Sequence, residues 1–435
     1  MRCSFVQFGD VHLGTQQYDS AERLNDFGRA WLFACQYAVE HRPDFVICTG
    51  DLFNRFTINP VTFDQAYAGL SMLRDAGIPI VDVQGNHDRS RSGEGKSWLD
   101  SLAEHGLLTH LDLQIEADGV KLRPVSAPRH SGSFVEWANC RIFGLRYLGM
   151  STERVLTMLR PEIEKLPRDG LFTILVLHAG LEGIVPHFNA ELSTDALAQL
   201  HECVDYVALG HIHKHYTVGN YAFNGGSLET WALNEWEWDR GLLHVEVDTS
   251  REPPVTARLV SVPKRPFCRL RFDVSNYDDP ASLQRAYWEM LEREERKRPS
   301  QAPVVVLDLI GRLRFHRGDL PINKLEDAAQ AKLRPLVLRV LERYDLNEFE
   351  TDREGEDEEP IDRAILEKQV LQAHLAKDAR FAPHAEKLTR LALVLKERAL
   401  QGDDGPRLVE TLRDGWRQIQ GVEPEFLISE PVAES

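Results

Sequence analysis

The sequence is poor in cysteine. Its six cysteines, Cys3, Cys35, Cys48, Cys140, Cys203 and Cys268, are scattered and form no C-x-x-C pair. That pattern excludes a disulfide framework or a zinc ribbon and implies reduced core thiols in a cytoplasmic protein. Long apolar runs are missing as well. None approaches the ~20 residues of a membrane span, so no membrane partner is expected. No signal peptide precedes the first strand-like run, which places the start of the folded domain almost at Met1. Excess positive charge is absent too. A formal net charge of −17 argues against indiscriminate nucleic-acid binding but is compatible with a local basic groove. There is no internal repeat, and the only low-complexity tract is acidic. What is present is 43% hydrophobic residues, enough for a sizeable core, on a length that suits two or three domains.

The first half repeats one pattern. A short apolar run, Cys3 to Phe8, ends in Gly9-Asp10-Val11-His12-Leu13-Gly14, and Leu24, Phe27, Trp31, Cys35 and Ala38 then recur at helical spacing. Phe45 to Thr49 ends in Gly50-Asp51-Leu52-Phe53-Asn54 and is followed by a second amphipathic stretch, Phe63 to Leu73. Ile78 to Gln84 reads as a buried strand and ends in Gly85-Asn86-His87-Asp88. Alternating strand, polar loop and helix predicts parallel strands with right-handed crossovers, an α/β fold. Shorter strands are expected within 107–127 and 139–145, and a helix around Arg160 to Leu166. Phe172 to Leu177 runs into His178, and Val204 to Leu209 runs into Gly210-His211-Ile212-His213. Beyond that, 215–224, 241–247 and 255–262 have an antiparallel character.

Five strand ends therefore carry metal-type ligands: Asp10 with His12, Asp51, Asn86 with His87, His178, and His211 with His213. Singly each has an ordinary reading. Asp10 suits a cap, Gly85-Asn86 a turn, and a lone histidine is more often a satisfied core or surface residue. Together they are harder to dismiss, because parallel strands gather such ends at one rim. The residue types suit phosphoryl chemistry. Two divalent cations clamp the attacking and leaving oxygens, a central aspartate bridges them, and imidazoles with an amide oxygen suit Mn²⁺, Fe²⁺ or Zn²⁺ better than Mg²⁺. A further histidine outside the ligand set can protonate the leaving alkoxide.

Asp10-x-His12, Gly50-Asp51, Gly85-Asn86-His87-Asp88, His178 and Gly210-His211-x-His213 resemble, in order, the five signatures of the calcineurin-like metallophosphoesterases. Within them, Asp10-Val11-His12-Leu13-Gly14, Gly50-Asp51-Leu52-Phe53, Ala208 to His213, and Gly225-Gly226-Ser227-Leu228-Glu229 before Arg240-Gly241 look like the SbcD-type DNA repair nuclease subunit. The resemblance implies a four-layer sandwich, two mixed β-sheets flanked by helices. It implies two metal ions, most readily Mn²⁺ with Fe or Zn as alternatives. One is held by Asp10, His12 and His213, the other by Asn86, His178 and His211, and Asp51 bridges them. His87 would act as general acid, oriented by Asp88. Asn54 departs from the family, whose members tend to carry histidine or aspartate there. An amide can donate to a phosphate but cannot transfer a proton.

A DNA substrate needs positive charge near the rim. Arg89 and Arg91 are the leading substrate-binding candidates with Asn54, ahead of Arg55, Lys96, Arg123, Arg129 and His130, although single arginines on loops usually serve only solvation. The domain plan is a metallophosphoesterase domain over 1–262, a small α+β capping domain over 263–345, an acidic linker over 346–360 and a helical C-terminal region over 361–435. Residues 267–273 and 303–315 are expected as strands around a charged helix at 280–297, leading into a helix around Lys324–Tyr344. By resemblance the cap shapes a DNA channel, the tail docks an SbcC-type, SMC-like ATPase through residues such as Leu388, Leu391 and Leu395, and the chain is a homodimer. Trp231, Trp236 and Trp238 read as core or dimer packing rather than base stacking. Competing readings are a small-molecule or nucleotide phosphodiesterase and a non-catalytic scaffold.

Overall fold

In the computed structural model the chain is described over residues 1–90, 95–116, 119–126, 129–346, 368, 371–372, 375, 381–400 and 405–420. The first part runs β1 (Arg2–Phe8), α1 (Ala21–His41), β2 (Phe45–Cys48), α2 (Pro60–Asp75), β3 (Ile80–Asp82), α3 (Trp98–Glu104), β4 (Thr109–Leu111), β5 (Gln114–Glu116), β6 (Gly119–Lys121), β7 (Ser131–Gly132), β8 (Phe134–Trp137) and β9 (Cys140–Leu145). It continues through α4 (Thr152–Glu164), β10 (Phe172–His178), α5 (Thr194–Leu200), β11 (Tyr206–Gly210), β12 (Tyr216–Val218), β13 (Ala222–Asn224), β14 (Leu242–Asp248) and β15 (Val255–Val260).

Apart from β5 and β6, which pair with each other, these strands form two mixed sheets, ordered β15-β14-β1-β2-β3-β4-β7 and β12-β13-β11-β10-β9-β8. Each central strand is buried on both faces, which is why it reads as a continuous apolar run. Phe5, Phe45, Ile47 and Val81 meet Ile174, Val176, Tyr206 and Ala208 in the core between the sheets. The alternate residues Val6, Phe8, Val46 and Cys48 face outward to α1, α2 and α3. Leu175, Leu177, Val207 and Leu209 likewise face α4 and α5. The result is the expected four-layer arrangement. The antiparallel character also appears, since β14 pairs with β1 and β15, although β13 joins β11 in parallel.

The cap differs from its expectation at one element. Its sheet is β16 (Phe267–Asp273), β17 (Val304–Leu313) and β18 (Val337–Leu346), all parallel, with α6 (Pro280–Glu295) and α7 (Ile322–Leu333) as crossovers on one face. The helix expected to reach Tyr344 stops at Leu333. Arg334 turns left-handed with φ 46, Pro335 cannot continue a helix, and the alternating segment after it becomes β18.

A buried ion network joins the cap to the first domain. Arg265 donates from Nη2 to Asp26 Oδ1 at 2.9 Å, and its backbone N–H donates to Glu229 Oε2 at 3.2 Å. Arg23 donates from Nη1 to Asp26 Oδ2 at 2.6 Å. All four side chains are buried. Breaking such a pair strands a charge out of water. Arg265→Ala is therefore expected to lower the unfolding free energy by about 3–5 kcal/mol, read from urea denaturation.

Residues 1–349 and 350–435 form separate compact units. In the second, α8 (Ala385–Leu400) and α9 (Gly405–Gln420) pack together, with Leu388 and Trp416 buried. The acidic linker falls outside the described residues, as does most of 361–380.

Candidate metal centre

The loops after β1 and β2 zip together through their backbones. Asp10 N–H donates to Gly50 O at 3.0 Å, His12 N–H to Asp51 O at 2.9 Å, and Leu13 N–H to Leu52 O at 2.9 Å. Asp10, His12 and Asp51 thus arrive as a unit. They do so at positive φ (49, 52 and 54), as does His211 at 82. Non-glycine residues adopt this region at a cost, and such strain clusters at functional sites. Gly85 permits the third loop to join, because a Cβ there would lie 2.0 Å from Asp51 Oδ1. The His87 N–H then donates to that same oxygen at 2.8 Å.

The second sheet supplies the remaining ligands. His178 closes β10, and its Nδ1–H donates to Thr49 O at 2.7 Å. That leaves Nε2 facing Asp51 Oδ2 at 3.3 Å and Asn86 Oδ1 at 3.1 Å. His211 N–H donates to both Asp10 oxygens at 3.1 Å. His213 Nε2 lies 3.0 Å from His12 Nε2 and 3.9 Å from Asp10 Oδ1. Three sets of ligand atoms lie within 4.8 Å of one another: Asp10, His12 and His213; Asp10, Asp51 and His178; His12, Asp51 and His87. His211 lies alongside, its ring centroid 5.0 Å from that of His178.

These residues fit divalent cations. Burial holds the His12 imidazole well below its usual value, so it is neutral, and its Nδ1 is buried without a hydrogen-bond partner among the described residues. Burial acts against charge on His178 too, but the Asp51 and Asp10 carboxylates outweigh it and lift it to about 10. Asp51 is buried as well, yet His178 and His12 hold it below the usual carboxylate range. Imidazole nitrogens and buried carboxylates crowded in this way call for a positive charge between them, which a cation supplies without a proton.

Several contacts were not visible in the sequence. Glu235 accepts from His213 Nδ1 with both oxygens at 3.0 Å. Glu191 Oε1 lies 3.4 Å from His211 Nε2, and Glu191 also accepts from Gly180 N–H and the Tyr147 hydroxyl. Burial and Glu191 push the Tyr147 phenol up to about 12, so it remains a donor. Such carboxylates fix the ring and tautomer of a ligating histidine. Glu235→Ala is expected to weaken divalent-cation binding about 10–100-fold, measured by calorimetric titration of metal-free protein. Neither glutamate belongs to a motif. Ala232, three residues before Glu235, lacks the side-chain acceptor of a capping box, so no local signal marked Glu235.

Two expectations need correction. Asp88 does not hold the His87 ring. Its carboxylate accepts backbone N–H groups from Leu52 at 3.2 Å, Phe53 at 2.8 Å and Gly85 at 3.2 Å, locking two loops together. The His87 ring is held by Asn54, whose carbonyl accepts from Nδ1 at 2.8 Å. The Asn54 side-chain oxygen meanwhile accepts from Trp231 Nε1 at 2.9 Å. Trp231 is not core packing, since its ring centroid lies 5.5 Å from those of His12 and His213 and 5.8 Å from that of His87. Arg89 is exposed at the rim with its guanidinium 4.9 Å from the Tyr147 ring centroid. Arg91 lies outside the described residues. Lys96 pairs with Glu104, and the exposed Arg123 and Arg129, with His130, precede edge strand β7.

Residues 3–215 match the family model described as calcineurin-like phosphoesterase. The chain carries a calcineurin-like phosphoesterase domain. The chain is similar to archaeal proteins named DNA double-strand break repair protein Mre11. The chain is 32% identical to that of Archaeoglobus fulgidus over 245 residues, 53% of this chain and 51% of that one. Identity to that of Aeropyrum pernix is 28% over 284 residues, 62% and 64% of the two chains. For Thermoplasma acidophilum it is 24% over 330 residues, 74% and 81%. The chain thus spans about half to two thirds of the length of the first two relatives.

Proposed function

We propose that the chain is a two-metal DNA nuclease, an exonuclease with possible endonuclease action, working in double-strand-break repair with an SbcC-type, SMC-like ATPase. The carrying observation is the convergence of Asp10, His12, Asp51, Asn86, His178 and His213 at facing ends of two sheets, with His211 alongside. The repair names of the archaeal relatives support DNA as substrate.

Asp10, His12 and His213 would hold one cation, Asn86, His178 and His211 the other, with Asp51 shared. Bound there, Mn²⁺, Fe²⁺ or Zn²⁺ supplies charge to the phosphodiester and lowers the pKa of water. The chain supplies the rest. The Asn54 carbonyl accepts from Nδ1 of His87, so only the imidazolium form would carry a proton on Nε2 for the leaving oxygen, and giving it up would leave the neutral ring with Nδ1–H still held. Asp88 positions His87 through the loop backbone. Trp231 walls the site on the His12, His87 and His213 side. Arg89, braced on Tyr147, is placed to meet a phosphate.

Finer features belong to the same proposal. The free cysteines suit a cytoplasmic location. Among the described residues no helix is long and apolar enough to cross a membrane. Exposed Tyr67 and Trp98, each against the Phe63 ring, with exposed Phe56, whose carbonyl accepts from Trp98 Nε1, form an apolar patch that suits a homodimer. The α8–α9 pair suits docking of a coiled-coil ATPase.

The test is end-labelled linear duplex DNA with Mn²⁺. Cleavage that requires the metal is the expected result. Turnover of a chromogenic phosphodiester without any DNA cleavage would shift the reading to a small-molecule phosphodiesterase. Silence on both, with metal bound, would mean a scaffold.

A further inference from the structure

A cavity of about 230 Å³ lies between the loop after Trp231 and the open face of the cap sheet. Its walls include Leu233 and Trp236 from the first domain and Phe267, Arg269, Leu341 and Arg343 from the cap. Strand register explains the face. Arg269 pairs with Val306 and Val306 with Arg339, while Arg271 pairs with Asp308 and Asp308 with Leu341. Side chains in register share a side of a parallel sheet, and alternate residues follow them. Arg269, Arg271, Arg339 and Arg343 therefore share the face of Asp308, on a chain whose net charge is −17.

Asp308 is 1% exposed. Its Oδ2 accepts from Arg269 Nε at 2.6 Å. Its Oδ1 is buried with no hydrogen-bond donor among the described residues, and Arg343 Nε lies 3.9 Å from it. A buried carboxylate oxygen with spare capacity is costly unless something donates to it. The cavity thus combines aromatic walls with the guanidinium groups of Arg269 and Arg343, and Asp308 lies behind them rather than in its lining.

The cavity also adjoins the metal centre. Glu235, which holds His213, sits between Asn234 and Trp236, both of which line the cavity. Arg339 lies over Tyr18 at 5.9 Å, and the neighbouring Gln17 donates to the Trp231 carbonyl at 2.8 Å.

We propose that this cavity is a subsite for one unpaired nucleotide at a DNA end, an inference that rests on the nuclease reading. The base would lie against Trp236 and Phe267, and its phosphate would meet Arg343 and Arg269. Aromatic and guanidinium surfaces bind bases in this way without strong sequence preference. An uncharged apolar ligand would leave the arginines unused. A bare anion would leave the aromatic walls unused. The volume admits a single base rather than a duplex. The subsite would anchor a splayed strand end while another phosphodiester of that strand reaches the metals.

The test compares kcat/KM, with Mn²⁺ and the full chain, on end-labelled duplexes bearing one unpaired terminal nucleotide, either with its base or abasic. Loss of the base is expected to lower kcat/KM about fivefold or more, the scale of one base–aromatic stack. The loss should appear mainly in KM. Trp236→Ala should erase the difference, and so should Leu341→Trp, which fills the cavity while keeping the strand apolar. Cleavage indifferent to the base in the wild-type chain overturns the subsite and leaves the nuclease reading standing. Base dependence that persists in both variants overturns this cavity as its source. Absence of any DNA cleavage removes the nuclease reading and the subsite together.

Discussion

Asp51→Asn is expected to lower phosphodiester hydrolysis on the order of 10³-fold or more, the scale for removing a charge-organising group from a preorganised site. It should also cut the number of tightly bound divalent ions per chain. The substitution keeps shape and burial but removes the charge toward which His178 Nε2 (3.3 Å) and His12 Nε2 (3.9 Å) are turned. The surviving oxygen would stay with the His87 N–H, which now donates to Asp51 Oδ1 at 2.8 Å. The new amide NH₂ would then face His178, where a ligand oxygen is needed. Metal content by mass spectrometry after dialysis, with turnover measured on the same sample, checks both halves. Full activity with an unchanged metal count would refute Asp51 as a shared ligand.

His87→Ala separates two roles that the geometry allows. His87 groups with His12 and Asp51 closely enough to be read as a ligand, yet its Nδ1–H is fixed on Asn54 O, which suits a proton donor acting through Nε2. As general acid, its loss should slow DNA cleavage about 10²–10⁴-fold with metal content unchanged. A p-nitrophenyl phosphodiester, whose leaving group needs no proton, should then lose far less. Equal losses on both substrates together with a missing ion would make His87 a ligand instead.

Much of this site was legible because the relevant signals are local. Strands buried on both faces, such as Phe172–His178 and Tyr206–Gly210, appear as unbroken apolar runs. The polar residues just past them can only lie at a sheet rim. Position in the chain therefore points to Asp10, His12, Asp51, Asn86, His178, His211 and His213 as candidates at one rim. The cap failed at one point for a related reason. Leu336 to Tyr344 contains good helix formers, and only Pro335 and the alternation after it mark a strand. Its exposed edge and half-buried faces give no continuous run.

The contacts that finish the site are long-range. Tyr147 meets Glu191 across 44 positions, Trp231 meets Asn54 across 177, and Arg265 meets Asp26 across 239. No period or motif encodes such pairs, because each depends on how two sheets and a cap are stacked. The sequence alone determined which chemical groups are present and that they sit at strand ends, since hydrophobic alternation and loop position are properties of neighbouring residues. Only the tertiary structure decided which nitrogen each imidazole presents, that Asp88 locks loops rather than orienting a ring, and that Trp231 and Glu235 belong to the centre. Those choices follow from hydrogen-bond donors and acceptors finding partners once burial has removed water as an alternative.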